Sequence, residues 1–267
     1  MKKKVLTIDD ANKKLIGQYR DLDKYKHRTE PKRLLKELKN IHSGKDIWVV
    51  AAGSTMNYIN PSFFENKITL GINQTYEKYP CDYIVGKDIN LATRWDDTID
   101  ELIDHPTIKF LYSKWFQGYP DKGENRVPNC DNFYMWDNTV VHNQITIIDG
   151  IRLDTDFIIS IRSTLHSAMH IAAYMGAKNI ILCGNDIGTI TKPGEVKASL
   201  YYDGYVKEHW TDSGNWGNGQ IEHWLALNGQ ITIDLKKKLT EVYGCNIHSL
   251  NPFINLQLED HKYKPTR

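Results

Sequence analysis

From residue 47 onward, the chain alternates short apolar runs with longer amphipathic stretches. The runs are apolar at consecutive positions, which is typical of strands in a parallel sheet covered by helices. Six runs predict strands: "IWVVAAG", "KITLGIN", "CDYIVGKD", "TIKFLYS", "NIILCGND" and "CNIHSLNP". Helices are predicted over about 89–104, 162–176 and 219–243, the last two stopped by Gly176 and Gly244. We therefore predict an α/β fold with a doubly wound, mostly parallel, Rossmann-like sheet.

The charged N-terminal region differs from the rest of the chain. Within residues 1–46, "EPKRLLKELKNIHSG" predicts a short amphipathic helix that begins at Pro31 and ends near Gly44. We predict an N-terminal helical appendage over 1–46 and one α/β domain over 47–267. Long irregular segments in a compact domain are usually binding loops or lids. The stretch 114–150 is one such segment, and 187–218 predicts a lid loop.

Composition narrows the class of protein. The 267 residues carry a formal net charge of +1, so no global field recruits a nucleic acid. No run of eighteen apolar residues and no signal peptide is present, which predicts a cytoplasmic protein. The basic N-terminal face leaves open a peripheral contact with the inner face of the membrane, although packing on its own domain is favoured. The dispersed cysteines predict reduced core residues; they are Cys81, Cys130, Cys183 and Cys245.

Four predicted strands finish with a glycine followed closely by a polar residue. These ends are Gly53-Ser54-Thr55, Gly71-Ile72-Asn73, Gly86-Lys87-Asp88 and Gly184-Asn185-Asp186. The carboxyl ends of parallel strands share one edge of the sheet, where ligands of open α/β sheets bind. Such residues also cap helices in ordinary turns, but four coincident turns favour a crevice for a phosphate or a nucleoside. Neither the dinucleotide fingerprint nor the Walker loop is present.

The predicted helix at 162 begins with Arg162, Ser163 and Thr164. A guanidinium beside free helix amides suits a phosphate, and plain N-capping by a serine explains the same residues equally well. His166 and His170 have the spacing of two metal ligands, but no glutamate accompanies them. We therefore predict core or crevice histidines and no metal site.

The predicted lid carries groups that could act on a bound ligand. Tyr201, Tyr202 and Tyr205 supply phenol donors, and glycines allow the loop to close. His209 and His223 follow, and a histidine there can serve as a general base. Of the two histidines, His223 is the favoured candidate.

The succession "AAGSTM", "GINQTY", "CDYIVGKD", "RSTLHSAMHIAAYMGAKNIILCGNDIG" and "GCNIHSLNPF" resembles a known family. It is similar to the bacterial lipooligosaccharide sialyltransferases of glycosyltransferase family 42 and to the related domain-of-unknown-function 115 proteins. The resemblance implies transfer of a CMP-activated sugar, without a metal or another cofactor and with inversion at the anomeric carbon.

The resemblance also implies a role for individual residues. Contacts to the nucleotide are implied for Gly53, Ser54, Thr55, Asn73, Gly184 and Asp186. Contacts to the donor sugar are implied for Asp88, Arg162, Ser163 and Thr164. Tyr201 and Tyr202 would stabilise the leaving phosphate, and His223 would deprotonate the acceptor.

The favoured function is therefore a sialyltransferase-like glycosyltransferase that acts on a cell-surface glycan in lipopolysaccharide or capsule biosynthesis. Its partners would be a nucleotide sugar and a glycan acceptor, with a homo-oligomer left open. One alternative is a pyrophosphoryl transfer from ATP of the 6-hydroxymethylpterin diphosphokinase type, with Mg²⁺ held by Asp88 and Asp186. Another alternative is a non-catalytic nucleotide-binding module.

Overall fold

The computed structural model of the protein describes residues 33–86, 105, 107–113, 131–136, 148–161, 163–186 and 218–250. Its seven strands form one sheet in the order β5-β4-β3-β2-β1-β6-β7, and every neighbouring pair is parallel. The strands are β1 (Asp46–Val50), β2 (Ile68–Ile72), β3 (Tyr83–Gly86), β4 (Lys109–Ser113), β5 (Phe133–Trp136), β6 (Asn179–Cys183) and β7 (Asn246–Leu250). The described helices are α1 (Thr164–Tyr174) and α2 (Asn218–Tyr243). The predicted α/β class with a parallel sheet is confirmed.

Alternate side chains of the central strands pack on opposite faces of the sheet. On β1, Ile47 and Val49 belong to the larger core, which also contains the buried side of α1 and α2. Val50 belongs to a smaller core on the other face. On that face, the described residues that pack over the sheet include two short 3-10 helices, Ser54–Tyr58 and Pro61–Phe64. Both faces of β1 are therefore apolar, as expected for a central parallel strand.

The strand order places a topological switch point at the carboxyl ends of β1 and β6. After β1 the chain adds strands on one side through β2 to β5, and β7 follows β6 on the other side. The chain therefore continues towards opposite edges of the sheet after β1 and after β6. In open α/β sheets, ligands bind at the carboxyl ends of the strands that flank such a point.

One strand was not predicted. β5 (Phe133–Trp136) lies within the stretch 114–150, which the sequence analysis treated as irregular. Its four side chains are all buried, so "FYMW" does not form an exposed aromatic patch. The run is only four residues long and stands between Asn132 and Asp137, so its pattern resembles an aromatic loop. The predicted helix over 89–104 lies outside the described residues.

The N-terminal region contains a 3-10 turn, Leu35–Leu38, instead of the predicted α-helix from Pro31 to Gly44. The backbone of Asn40 has a φ of 58°, which an α-helix cannot continue through. Leu34 pairs with Met135 of β5 as an isolated parallel bridge, and Leu35 is 1% exposed in the main core. Residues 33–45 therefore pack on the sheet.

The same segment completes the carboxyl end of α1. The backbone N–H groups of Asn40 and His42 donate to the carbonyls of Tyr174 and Met175, at 3.1 and 2.9 Å. Gly176 follows with a φ of 86°. Terminal carbonyls of a helix lack partners within the helix, so these bonds satisfy groups that would otherwise be unpaired.

The cysteine prediction is confirmed where it can be checked. Cys81, Cys183 and Cys245 are free thiols, and the last two are fully buried. Cys130 lies outside the described residues. In the part of the chain that the structure describes, no helix has both the length and the apolar character needed to cross a bilayer.

Candidate functional site

The turns that follow β1 and β6 are in direct contact at the switch point. The Gly53 N–H donates to the Gly184 carbonyl at 3.0 Å. A Cβ on Gly53 would lie 2.3 Å from that oxygen and 2.5 Å from Oδ2 of Asp186. Gly184 has a φ of 68°, and a Cβ there would lie 2.5 Å from Cγ of Met56. Both glycines are required by close packing of the two turns, which explains why the strands end in small residues.

Asp186 joins the two turns through its carboxylate. The backbone N–H of Thr55 donates to Oδ2 at 2.6 Å, and the Thr55 hydroxyl donates to Oδ1. A longer bond of 3.4 Å runs from the Ser54 hydroxyl to Oδ2. Thr55 is fully buried. The residues Ser54, Thr55 and Asp186, predicted as nucleotide contacts, are thus brought together 131 positions apart in sequence.

Burial dominates the electrostatics of Asp186. It raises the pKa of the carboxyl above its ordinary value, and the hydrogen bonds from Thr55 and Ser54 lower it in part. The carboxylate also occupies the Thr55 N–H, in the turn that the sequence analysis predicted to contact a nucleotide. A phosphate bound at that amide would therefore have to displace Asp186, and it would meet a negative charge.

Two asparagine side chains flank the end of β1 without partners among the described residues. They are Asn73, whose Oδ1 atom is buried, and Asn185, whose Nδ2 atom is buried. Asn73 directly follows β2 and Asn185 lies two residues beyond β6, the two strands that flank β1 in the sheet. The carboxyl edge of the sheet beside β1 therefore holds one unpaired acceptor and one unpaired donor.

The amino end of α1 lies at the same edge of the sheet. The helix returns the chain to the amino end of β6, so its own first turn lies at the carboxyl edge of the strands. Ser163 is its N-cap, and the hydroxyl accepts from the Leu165 N–H at 3.3 Å. Thr164 is buried. The N-capping explanation thus accounts for Ser163, and Arg162 lies outside the described residues.

His166 and His170 are core residues, as predicted. Nε2 of His166 lies 3.1 Å from the Thr232 hydroxyl, and that hydroxyl donates to the Asn228 carbonyl. His166 therefore donates through Nε2 to Thr232. Within the described ranges, no group of three or more His, Cys, Asp or Glu side chains could hold a metal ion.

His170 connects three parts of the core. Its Nδ1 accepts from the Ile159 N–H at 3.2 Å, so Nε2 carries the proton and donates to the Tyr243 hydroxyl at 2.9 Å. Burial lowers the pKa of His170 to about 3, which keeps the ring neutral. The histidine has a structural role in joining α1 to α2.

The amino-terminal part of α2 extends beyond the contact with α1. Like α1, the helix returns to the amino end of a strand, here β7, so it runs in the same general direction. Thr232, which contacts His166, lies about 21 Å along the axis from Asn218 at 1.5 Å per residue. His223 belongs to this first part of α2, on the side of the carboxyl edge. Its side chain, and the residues Asp88, Tyr201 and Tyr202, lie outside what the structure describes.

One residue of this crevice was missed from the sequence. Asn185 was counted only as part of a strand end, although it stands between Gly184 and Asp186 and is 5% exposed. The sequence could have indicated Asn185, because this polar residue stands directly between two residues on which the turn depends.

Comparisons with known proteins identify no family for this chain. No protein-family model and no curated protein matches it. Among solved structures it is similar to the MAf glycosyltransferase from Magnetospirillum magneticum AMB-1, with 10% identity and a TM-score of 0.48. The likeness covers 90% of this chain and 38% of that one. The resemblance to glycosyltransferase family 42 therefore stays a prediction.

Proposed function

We propose that the protein is a glycosyltransferase that binds a nucleotide sugar, CMP-linked, at the crevice between β1 and β6. The observation that carries the proposal is the switch-point pair of turns, where Gly53 and Gly184 pack without space for a side chain beside Asp186. Ligand crevices of open parallel sheets form at such points. The proposal is also supported by two buried side-chain atoms, Asn73 Oδ1 and Asn185 Nδ2. Neither has a hydrogen-bond partner among the described residues, so each is available to a ligand.

The proposed reaction is an inverting transfer to a hydroxyl of a cell-surface glycan. The acceptor oxygen attacks the anomeric carbon from the side opposite the phosphate, and the bond between that carbon and the phosphate oxygen breaks. The electron pair leaves with CMP, and the acceptor proton passes to His223 as general base. Tyr201 and Tyr202 would donate hydrogen bonds to the departing phosphate. Asp88, Arg162, Ser163 and Thr164 would hold the donor sugar.

Release of nucleotide from CMP-sialic acid tests the proposal. We expect the full chain to release CMP in the presence of EDTA, faster when a glycan acceptor is added, and His223→Ala to slow this release at least a hundredfold. The matched control is His248→Ala, because His248 is an exposed residue of β7. Absence of CMP release and of cytidine nucleotide binding would overturn the proposal. Binding of ATP only with Mg²⁺ would instead support the diphosphokinase.

A further inference from the structure

Two hydrogen bonds of the same kind join α1 to α2. In each of them, a buried histidine of α1 donates through Nε2 to a hydroxyl group of α2. His166 lies 3.1 Å from the Thr232 hydroxyl, and His170 lies 2.9 Å from the Tyr243 hydroxyl. The histidines are one helical turn apart, whereas Thr232 and Tyr243 lie about 17 Å apart along the axis of α2 at 1.5 Å per residue. The two bonds therefore hold different parts of α2.

The bond from His166 acts on the backbone of α2 as well as on a side chain. The Thr232 hydroxyl accepts from His166 and donates to the Asn228 carbonyl at 2.8 Å. Because His166 donates to the hydroxyl oxygen, the hydroxyl proton is directed to that carbonyl. A threonine that bonds to the carbonyl four residues before it can bend its helix. His166 thus acts on the geometry of the turn 228–232.

The turn 228–232 also contains Gly229, and an internal glycine gives a helix more freedom to bend. The described packing of α2 in the main core begins at Leu227. His223 lies nine residues before Thr232, about 13 Å along the axis. A change of direction of about 10° at the turn would therefore move the backbone of His223 by about 2 Å. Misplacement of a reacting group by about 1 Å is enough to slow catalysis about a hundredfold.

We propose that His166 is a positioning residue, which fixes the turn 228–232 through Thr232 and thereby the direction of the first part of α2. That part carries His223, so the proposal rests on the proposed function for the role of His223 as general base. In this role His166 acts through α2 and does not contact the substrate. The bond to Tyr243 holds the opposite end of α2, about 30 Å from His223, and has no such effect.

Hydrogen exchange of the full chain without ligand tests the first step, the fixing of the turn. Thr232→Val keeps the shape of the side chain and removes the hydroxyl, whereas Thr232→Ser keeps the hydroxyl. We expect Thr232→Val to speed exchange of the backbone amides of residues 222–231 about fivefold to tenfold, because loss of the hydrogen bond makes local opening easier. Thr232→Ser should exchange like the wild type. Tyr243→Phe is the matched control, since it removes the other bond and should leave these amides unchanged.

A double-variant comparison shows whether His166 acts through Thr232. His166→Leu should speed exchange of the amides of residues 222–231 to a similar extent. If the two residues act as one link, the double variant His166→Leu/Thr232→Val should exchange no faster than the faster single variant. Additive effects of the two substitutions would overturn the link.

Transfer kinetics test the second step, the positioning of the base. For Thr232→Val we expect kcat for transfer from CMP-sialic acid to fall about tenfold or more, while KM for the donor stays within about twofold, because a displaced base slows only the chemical step. Thr232→Ser should restore kcat. Tyr243→Phe also removes one hydrogen bond, so it should lower Tm by a similar amount and leave kcat within about twofold of the wild type.

The outcomes separate this proposal from the proposed function. Unchanged exchange of residues 222–231 in both Thr232→Val and His166→Leu would overturn the positioning role, and so would an equal fall of kcat in Tyr243→Phe, which would indicate a general loss of stability. If the wild type releases no CMP while Thr232→Val speeds exchange as expected, the proposed function is overturned and the fixing of the turn by His166 is supported.

Discussion

Replacing Gly53 by alanine tests the contact between the two turns at the switch point. The backbone of Gly53 has φ −62° and ψ 157°, which alanine adopts without strain. The added Cβ, however, would lie 2.3 Å from the Gly184 carbonyl oxygen and 2.6 Å from Cγ of Asp186. The first of these atoms belongs to the backbone and cannot turn aside. Alanine must therefore push the two turns apart.

The expected cost follows from three contributions. Overpacking of this kind costs about 1–3 kcal/mol. Loss of the bond from the Gly53 N–H to the Gly184 carbonyl adds about 1 kcal/mol. The restricted unfolded chain of alanine returns about 0.4–1 kcal/mol. We expect Gly53→Ala to lower the free energy of unfolding by about 1–3.5 kcal/mol.

Urea unfolding followed by circular dichroism and tryptophan fluorescence measures this change. Gly44→Ala is the comparison, because Gly44 has a φ of 75° and no atom within 4 Å of its added Cβ. There only the left-handed backbone contributes, about 1–2 kcal/mol. In the background of Asp186→Ala the effect of Gly53→Ala should shrink, since one of the clashing groups is gone. A Gly53→Ala variant within about 0.5 kcal/mol of the wild type would refute the reasoning.

Three further predictions concern pH and the N-terminal segment. Burial raises the folded-state pKa of Asp186 above 3.8, so the protonated carboxyl favours the folded state at low pH, and this contribution to stability is lost as pH rises. In urea melts, the wild type should therefore lose stability relative to Asp186→Asn between pH 4 and 7. Burial lowers the pKa of His170 from 6.5 to about 3, so the neutral ring stabilises the fold above pH 6.5 and this contribution is lost as pH falls. His170→Gln should therefore reduce the slope of unfolding free energy against pH between pH 6 and 4 by up to one proton, about 1.4 kcal/mol per pH unit. An unchanged slope would contradict this. Leu35→Ala should lower the free energy of unfolding by about 2–5 kcal/mol, whereas Ile41→Ala, at a side chain 49% exposed, should change it by less than about 0.5 kcal/mol; equal effects would mean that residues 33–45 do not contribute to the core.

Local pattern was enough to predict most of the sheet. β1, β2 and β6 are continuous apolar runs that end in glycine and polar residues, and each was placed correctly. The helix ends at Gly176 and Gly244 were also predicted, and both residues have positive φ angles. These features depend on residues that are close in sequence, so a single chain is sufficient to recognise them.

Features that depend on distant residues escaped prediction. β5 pairs with β4, and its Met135 forms a bridge with Leu34, about a hundred positions away; its own four apolar residues are too short a run to separate a strand from an aromatic loop. The N-terminal sequence predicts a helix, but only the 3-10 turn Leu35–Leu38 forms, and the amides of Asn40 and His42 beyond it bind the end of α1. Tertiary contacts outweigh helix propensity in such a short segment.

The candidate site shows the same division. The glycine and aspartate of the β6 turn could be recognised, but the bond between Thr55 and Asp186 joins residues that only the fold brings together. That bond places a carboxylate at a turn amide that could otherwise bind a phosphate. Strand order decides which turns meet, and a local sequence pattern does not reveal strand order.

The most direct test of the account is a nuclear magnetic resonance titration of protein labelled with ¹⁵N at asparagine, with CMP added in EDTA. Asn185→Ala and Asn73→Ala variants identify the two side-chain amide signals, and Asn179 on the opposite edge of β6 serves as the internal reference. We expect the amide signals of Asn185 and Asn73 to shift in proportion to bound nucleotide while that of Asn179 stays in place. Binding of CMP that leaves both signals unmoved would contradict the assignment of the ligand to the crevice between β1 and β6.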